Sequence, residues 1–175
     1  PSGEDFAQAM GARFGLGEYR MELDRTLYPR CPAPSLKLDL LPADATDQDT
    51  LVNLLSSSRE LDERAARDLT TSWLNAANQH LRIGWLNGRA AGMIRLHQGE
   101  SSVFLYSFLI HPDLRGRGYG RQILMGVLDE LIAADWPHIM IEVATDNVVA
   151  LSLYRSCGFR EVAAYQYYRL AIEPL

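Results

Sequence analysis

Residues 108–121 have the sequence Phe108-Leu109-Ile110-His111-Pro112-Asp113-Leu114-Arg115-Gly116-Arg117-Gly118-Tyr119-Gly120-Arg121. An apolar run ends at Pro112, three alternating glycines lie among three arginines, and an amphipathic segment follows directly. Glycine lets backbone N–H groups approach a ligand without a Cβ in the way. The start of a helix adds partial positive charge, and arginine adds charge-assisted donors. The stretch therefore predicts a strand–turn–helix site that binds a diphosphate.

Two familiar phosphate-binding motifs are absent from this stretch. The glycines are spaced G-x-G-x-G, whereas the dinucleotide fingerprint is G-x-G-x-x-G, and the chain has no G-x-x-x-x-G-K-[ST]. The structural alternative is a glycine-rich turn with solvated arginines. The buried strand before the turn, the helix after it and the three arginines together favour a ligand site.

The segments on either side of residues 108–121 alternate between strand and helix patterns. Val103–Ile110 is almost wholly apolar, as in a strand buried on both faces, and Ile139–Val143 has the same character. The helix between them has a broad apolar face, and Pro137 ends this helical region. The next helix has apolar residues at helical spacing up to Cys157, and Gly158 is a natural C-cap. Two closing strands are predicted, at Phe159–Val162 and Tyr165–Ile172.

The preceding part of the chain predicts the other half of a sheet. Alternation from Leu36 to Leu40 indicates a strand, two helices follow, and the second is predicted over residues 60–79. Asn87-Gly88 separates two alternating runs, which is a strong hairpin signal. The order from residue 36 is β-α-α-β-β-β-α-β-α-β-β. We therefore expect one mixed α/β (α+β) sheet domain over residues 36–175.

Residues 1–35 differ in character and are predicted to be an N-terminal extension. Tyr19, Met21 and Leu23 alternate with charged residues, so residues 18–24 are expected to form a strand that pairs with the main sheet or with a partner chain. Three prolines in residues 28–35 indicate a stiff linker. Residues 8–21 also loosely repeat the pattern of residues 155–170. The extension is thus either a remnant of a preceding, related half or a chance match of short motifs.

Composition excludes several classes of protein. The 175 residues suit one globular domain, and 47% hydrophobic with 22% charged residues excludes a mainly disordered chain. A net charge of −5 disfavours nucleic-acid and anionic-membrane binding, and no apolar run approaches the ~20 residues of a membrane helix. Two cysteines favour a reducing, cytoplasmic compartment. The four histidines have no ligand spacing, so no metal site is predicted.

Two motifs in this chain resemble those of the GNAT-superfamily N-acetyltransferases. Residues 115–120 match the family's (Arg/Gln)-x-x-Gly-x-(Gly/Ala) signature, and Ile110-His111-Pro112 matches the hydrophobic-x-Pro before it. Residues 143–159 resemble the second motif, N-x-x-A-x-x-x-Y followed by Gly-Phe. The resemblance covers roughly residues 36–175. It implies a mixed, mostly antiparallel sheet with two splayed parallel central strands, flanked by helices.

The resemblance also implies an acetyl-CoA site and its residues. The gap between strands 103–110 and 139–143 would hold the cosubstrate, and backbone groups near Leu109 and Ile110 would pair with the pantetheine arm. Asn147 would lie near the pantetheine or the thioester, and Tyr154 would be the general acid for the departing thiolate. The diphosphate would bind the residues of the glycine–arginine loop, which are Arg115, Gly116, Arg117, Gly118, Tyr119, Gly120 and Arg121.

The remaining catalytic assignments stay open at this stage. Glu142, His111 and Tyr106 are candidates for a general base, although each has an ordinary structural interpretation, and the amine could also arrive deprotonated. Cys157 is interpreted as a core residue and not as a nucleophile. The acidic residues 60, 62 and 63 could attract a cationic amine, but a solvated helix face explains them as well.

The predicted function is acetyl transfer from acetyl-CoA to an amine by direct attack, without a metal. The acceptor would be a small molecule or a peptide, and the sequence is compatible with a homodimer. The alternative is a CoA-binding module or sensor without turnover, against which Tyr154 and Asn147 argue. Binding of a different diphosphate ligand is disfavoured by the missing nucleotide motifs.

Overall fold

The computed structural model describes residues 3–29, 38–58 and 61–170. In these residues the chain forms five α-helices and seven strands, with short 3-10 helices at Ala45–Asp47 and Pro112–Leu114. The helices are α1 (Gly3–Ala9), α2 (Gln48–Ser57), α3 (Glu63–Asn75), α4 (Tyr119–Ala133) and α5 (Val148–Ser156). The strands are β1 (Arg13–Leu23), β2 (Asp39–Pro42), β3 (Gln79–Leu86), β4 (Arg89–Gln98), β5 (Ser102–Ile110), β6 (His138–Ala144) and β7 (Phe159–Arg169).

The strands form one sheet in the order β2-β3-β4-β5-β6-β1-β7. Five of the six neighbouring pairs are antiparallel, and the exception is the parallel pair β5–β6 in the centre. These two strands pair only from Ser102 to Leu105 and from His138 to Ile141. Beyond that point they separate, which leaves a gap in the middle of the sheet. The predicted mixed sheet with two splayed parallel strands is confirmed.

Helices cover the sheet on both faces. The apolar face of α4 and the buried side of α5 pack with alternate residues of β5, β6 and β1, including Val103, Ile141 and Met21, in the larger core cluster. The helices α2 and α3 pack with Leu81, Ile83 and Met93 of β3 and β4 in a second cluster. This arrangement places the α4 start and the α2–α3 pair at the two ends of the central gap.

Several local predictions are confirmed. Asn87 and Gly88 both have positive φ, at 51° and 77°, as the hairpin signal requires. Gly158 follows α5 with φ 97°, as a C-terminal glycine does. The helix predicted over residues 60–79 is the shorter α3, because Asp62 caps its start and Ala76 has extended backbone. Residues 36 and 37 of the predicted strand, and most of the predicted linker, lie outside the described residues.

The prediction of two closing strands is wrong. Residues 159–169 form the single strand β7, which bulges at the register shift beside Met21 and continues. The predicted strand over residues 18–24 is confirmed, and it extends back to Arg13. It lies inside the sheet, antiparallel to β6 on one side and to β7 on the other. The N-terminal strand therefore fills the position next to β6.

Candidate active site

A cleft of about 850 Å³ opens at the central gap. One end is formed by the glycine–arginine loop and the α4 start, and the other by α2 and α3. Nine of the ten predicted cofactor-binding residues line it: Leu109, Ile110, Arg115, Gly116, Gly118, Tyr119, Gly120, Arg121 and Asn147. Arg117 is the tenth; it is exposed and does not line the cleft.

The start of α4 presents free backbone donors to the cleft. Gly118 is the N-cap, and its carbonyl accepts the first helical hydrogen bond from the Gln122 N–H at 3.2 Å. The N–H groups of residues 119–121 therefore have no helical acceptor. Unlike α5, which Asn147 caps, α4 has no side-chain cap among the described residues. Its first turn also contains no acidic residue, so the three N–H groups suit an anion.

Two of the three glycines are required by backbone conformation. Gly116 and Gly118 have φ of 72° and 82°, in the left-handed region that favours glycine, and a Cβ at either position would meet open space. Gly120 differs because it lies in the helix. A Cβ there would lie 3.5 Å from Ile110 Cγ1 and 3.6 Å from Leu153 Cδ2, both of which line the cleft. A larger side chain at residue 120 would therefore extend into the cleft.

The three arginine side chains have different surroundings. Arg115 donates from Nε to the Ile110 carbonyl at 3.1 Å, which ties the loop to the end of β5. Arg121 donates to Ser156 Oγ at 2.7 Å and so links α4 to the end of α5. Arg117 makes no ion pair or side-chain hydrogen bond with any described residue, and its guanidinium is exposed. Fewer arginine N–H groups are therefore free to bind a ligand than the sequence predicts, because Arg115 and Arg121 already donate to the protein.

A bulge in β5 opens the middle of the cleft. Met93 pairs with Leu109 and Arg95 pairs with Tyr106, so one residue of β4 opposes two residues of β5. Ser107 at the bulge has φ 47°, which is uncommon for a residue other than glycine. The bulge bends β5 and increases its twist just where it leaves β6. Past it, Leu109 and Ile110 pair with β4 alone, and their other edge faces the gap.

Tyr154 lies on α5 at the middle of the cleft. Its side chain is 6% exposed and packs between Phe108 and Phe159, with ring centroids 6.4 and 6.1 Å away. Burial raises the pKa of its phenol to about 12. Among the described residues the hydroxyl has no hydrogen-bond partner, although a buried tyrosine usually has one. A protonated donor thus faces the gap.

Asn147 is held by a structural hydrogen bond. Its side-chain oxygen accepts from the Ala150 N–H at 3.1 Å and caps α5, while the residue also lines the cleft. The resemblance to the family motif predicts that this residue lies near the pantetheine or the thioester. The structure adds that the cap fixes the helix carrying Tyr154, seven residues further on.

None of the three candidate bases lines the cleft. The Glu142 carboxylate accepts from Arg20 Nε at 3.0 Å and Nη2 at 2.9 Å, and Arg20 also lies over the Phe104 ring. His111 lies in a separate small cavity beside Arg89. Tyr106 is half-buried next to Arg95, and burial raises the pKa of its phenol.

Two further groups have structural roles. Cys157 is fully buried in the larger core cluster, and burial raises the pKa of its thiol, so the interpretation as a core residue is supported. Asp62 caps α3 by accepting from the Ala65 N–H at 2.8 Å, and Glu63 pairs with Arg67 on the helix surface. Residue 60 lies outside the described residues. Asp62 and Glu63 do not line the cleft.

Sequence reasoning missed the other end of the cleft. The lining residues there come from α2, α3 and the segment between them: Leu55, Ser58, Leu61, Leu69 and Trp73. Four of these five are apolar, and their helical spacing indicates only a core-facing stripe. Trp73 also packs against the Arg95 guanidinium, 4.6 Å from its ring centroid. No local sequence signal distinguishes these lining residues from core residues. They are exposed to the cleft only because the bulge in β5 opens it, and that bulge is distant from them in the sequence.

The described ranges contain neither a cluster of metal-ligating residues nor a helix that could span a membrane. No group of three or more His, Cys, Asp or Glu residues there is placed to hold a metal ion. No helix in the same ranges is long and apolar enough to cross a membrane.

Comparisons with known proteins agree with this geometry. Residues 48–159 match the model described as the acetyltransferase (GNAT) family. The N-alpha-acetyltransferase RimI of Mycobacterium tuberculosis is 40% identical over 85 residues, which is 46% of this chain and 51% of the relative. The chain spans about half the length, or less, of the curated relatives it matches.

Solved structures share the fold at low sequence identity. A GNAT-family acetyltransferase from Colwellia psychrerythraea aligns with a TM-score of 0.74 at 12% identity, over 94% of this chain and 60% of that one. An aminoglycoside N-acetyltransferase in complex with CoA aligns with a TM-score of 0.63 at 16% identity, over 79% of this chain and 94% of that one.

Proposed function

Because the chain belongs to the acetyltransferase (GNAT) family, we propose that it transfers an acetyl group from acetyl-CoA to the amine of an acceptor. The observation that carries this proposal is the cleft itself. The uncapped start of α4 lies at one end, and the buried Tyr154 phenol faces the middle.

The diphosphate of acetyl-CoA would bind at the start of α4. The free N–H groups of residues 119–121 supply donors, and the helix dipole favours negative charge there. Arg117 is free to add a charge-assisted hydrogen bond from the rim. The pantetheine arm would then follow the free edge of Leu109 and Ile110 into the gap between β5 and β6.

The chemical step is direct attack of the amine nitrogen on the acetyl carbonyl. The C–N bond forms, the C–S bond breaks, and the electron pair leaves on the sulfur of CoA. A thiol with a pKa of roughly 8.5 is a better leaving group when a donor faces its sulfur. Tyr154 supplies that donor, because a phenol with a pKa of about 12 stays protonated at neutral pH.

The attacking amine must lose a proton, and the three candidate bases from the sequence do not line the cleft. Among the described lining residues there is no carboxylate and no histidine. Glu142 is held in its ion pair with Arg20. We therefore propose that the amine enters the cleft neutral or loses its proton to water.

The acceptor end favours an amine with an apolar neighbouring group. Leu61, Leu69 and Trp73 form the wall there, and the nearby acidic residues Asp62 and Glu63 face away from the cleft in cap and ion-pair contacts. A polycationic aminoglycoside would need carboxylates at this wall. A peptide N-terminus with apolar side chains fits the wall better.

The buried, unpaired Cys157 favours a reducing cytoplasm, which we propose as the compartment.

The test is release of CoA thiol from acetyl-CoA with a panel of acceptors. The panel contains peptides with apolar or charged N-terminal residues, polyamines, aminoglycosides and free amino acids. We expect acceptor-dependent thiol release that is fastest with the apolar peptides. CoA binding without thiol release from any acceptor would contradict the transferase and indicate a CoA-binding module.

A further inference from the structure

The two ends of the described chain contain the same local unit. Ala9 ends α1, Gly11 follows with φ 75°, and β1 runs for 11 residues. Ser156 ends α5, Gly158 follows with φ 97°, and β7 also runs for 11 residues. The helix ends and the two glycines are each 147 residues apart. The starts of β1 and β7 are 146 residues apart, so the two units match within one residue.

The pairing of β1 with β7 obeys the same offset. Arg13 pairs with Arg169; moving each residue to its counterpart gives Arg160 and Glu22, which also pair. Glu18 pairs with Tyr165, which is its own counterpart. An antiparallel pair with this property has a local two-fold axis through Glu18 and Tyr165.

Irregularities in the two strands are also related by this axis. The β1 strand has one unpaired residue, Gly15, between Phe14 and Leu16. The β7 strand has one unpaired residue, Val162, at its register shift, and Val162 is the counterpart of Gly15. A chance match of two helix ends would not reproduce the positions of two β-bulges, because bulges are specific features of a strand pair.

Two apolar residues, one in α1 and one directly after it, lack the neighbours that their counterparts in and directly after α5 have. Cys157 is fully buried and Leu153 is half-buried against the core. Their counterparts are Met10, which is 55% exposed, and Phe6, which is 65% exposed. An apolar helix face that is uncovered in this way indicates a missing packing partner.

Within residues 3–29, 38–58 and 61–170, no strand pairs with the outer edge of β7. The sheet has two edge strands: β2 is four residues long and ends at Pro42, whereas β7 is 11 residues long. Short strands and proline protect an edge from pairing, and a long edge with exposed apolar residues invites it. Tyr167 is 47% exposed on this strand.

We infer that α1 and β1 are the last helix and strand of a second acetyltransferase half, which precedes them in the same polypeptide. On the other side, β1 pairs with β6 through residues Glu18 to Glu22. The two-fold axis converts that contact into one between Tyr165–Arg169 of β7 and the β6-equivalent strand of the preceding half. Each half would thus place its last strand in the other's sheet.

The offset also predicts the chemistry of that half. The counterpart of Tyr154 is Ala7, so the preceding half would have no phenol at the position facing its gap. The preceding half would therefore lack the hydrogen-bond donor that the Tyr154 phenol gives to this half.

Hydrogen exchange tests the inference on two proteins: the chain of residues 1–175 and the natural polypeptide that contains it, made from its initiating methionine. Within residues 165–169 of β7, the amides whose N–H groups point away from β1 should exchange at least about 100-fold more slowly in the natural polypeptide, because a second strand would pair with them. Residues 39–42 of β2, at the opposite edge, are the control and should exchange equally in both.

A substitution gives an independent readout. Phe6→Asp should lower the thermal midpoint of the natural polypeptide but leave that of the 175-residue chain nearly unchanged, because the side chain is exposed there. Leu41→Asp on β2 is the matched control, since Leu41 is 51% exposed at the other edge.

Three results would overturn the inference. The first is a natural polypeptide without a folded segment before residue 3. The second is equal exchange, in both proteins, of the amides of residues 165–169 that point away from β1. The third is protection of these residues in the isolated chain that increases with protein concentration, which would make a second copy the occupant.

Discussion

The two ends of the cleft differ in what holds them open. At the cofactor end, backbone conformation does so: Gly116 and Gly118 adopt left-handed φ, and α4 begins without a side-chain cap. At the acceptor end, tertiary packing does so: Leu69 and Trp73 come from a different helix pair and face a bulged strand. The geometry of the first end is therefore determined by consecutive residues. The geometry of the second end depends on contacts between residues that are distant in the sequence.

The difference predicts how each end responds to substitution. A change at the cofactor end should affect binding of every CoA thioester and spare acceptor preference. A change at the acceptor wall should do the reverse. Tyr154 lies between the two ends and should affect neither binding event, only the chemical step.

The largest effect is expected for Gly118→Asp at the cofactor end. The carboxylate would repel the diphosphate, and the new side chain would strain a residue with φ 82°. CoA affinity in a calorimetric titration should fall at least about 100-fold, equivalent to about 2.7 kcal/mol.

Gly88→Asp is the matched control for this substitution. Gly88 has φ 77° and open space at its Cβ, so its strain is similar, but it lies in the hairpin outside the main cleft. It should leave CoA affinity unchanged. A folded Gly118→Asp protein with wild-type CoA affinity would remove the diphosphate from this loop.

The next effect is expected for Tyr154→Phe. The ring packing against Phe108 and Phe159 remains, and only the hydrogen-bond donor is lost. A positioned acid contributes about 10²–10⁴ in rate, so kcat should fall by about 100-fold or more. Acetyl-CoA affinity should change by less than about tenfold.

Tyr106→Phe serves as the control, because Tyr106 is half-buried and does not line the cleft. Its kcat should stay near the wild-type value. If Tyr154→Phe instead kept activity within about twofold, with chemistry rate-limiting, Tyr154 would be a packing residue only.

A smaller effect is expected for Leu69→Asp at the acceptor end. Leu69 is 37% exposed, so the fold should tolerate the change. A carboxylate on an apolar wall should raise KM for an apolar peptide acceptor by about tenfold and leave KM for acetyl-CoA unchanged. Steady-state kinetics with both substrates varied would measure this, and an altered acetyl-CoA KM alone would place Leu69 outside the acceptor site.

The smallest effect is expected from alkaline pH. Because burial raises the pKa of Tyr154 to about 12, its phenol stays protonated between about pH 7 and pH 10. The kcat profile should therefore show no descending limb in that range. A fall with a midpoint near pH 10 that disappears in Tyr154→Phe would show that the phenol ionises at its ordinary pKa.

Much of the fold and the conformation of the glycine–arginine loop could be predicted because they depend on local patterns. Asn87-Gly88, Gly158, Gly116 and Gly118 each specify a backbone conformation that few residues adopt. Tyr154 could be assigned only through the family motif, since helical spacing alone makes it a core residue. The structure leaves its hydroxyl without a partner among the described residues, which favours the catalytic interpretation.

The features that could not be predicted depend on long-range contacts. The bulge at Ser107 has no glycine to mark it, and its positive φ is imposed by the pairing of β4 with β5. The closing segment was expected to form two strands, at Phe159–Val162 and Tyr165–Ile172, with a break between them. In the structure β1 takes the place next to β6, and β7 continues unbroken. Glu142 could not be judged from sequence because its partner Arg20 is 122 residues away.

The central claim is that the α4 start binds the diphosphate of a thioester whose acetyl group is transferred beside Tyr154. The most direct test compares kcat/KM for acetyl-CoA with kcat/KM for acetyl-pantetheine, which has the same thioester but no diphosphate. The wild-type protein should prefer acetyl-CoA by at least about 100-fold, and Gly118→Asp should lose most of that preference. Equal use of the two donors by the wild-type protein would contradict the claim.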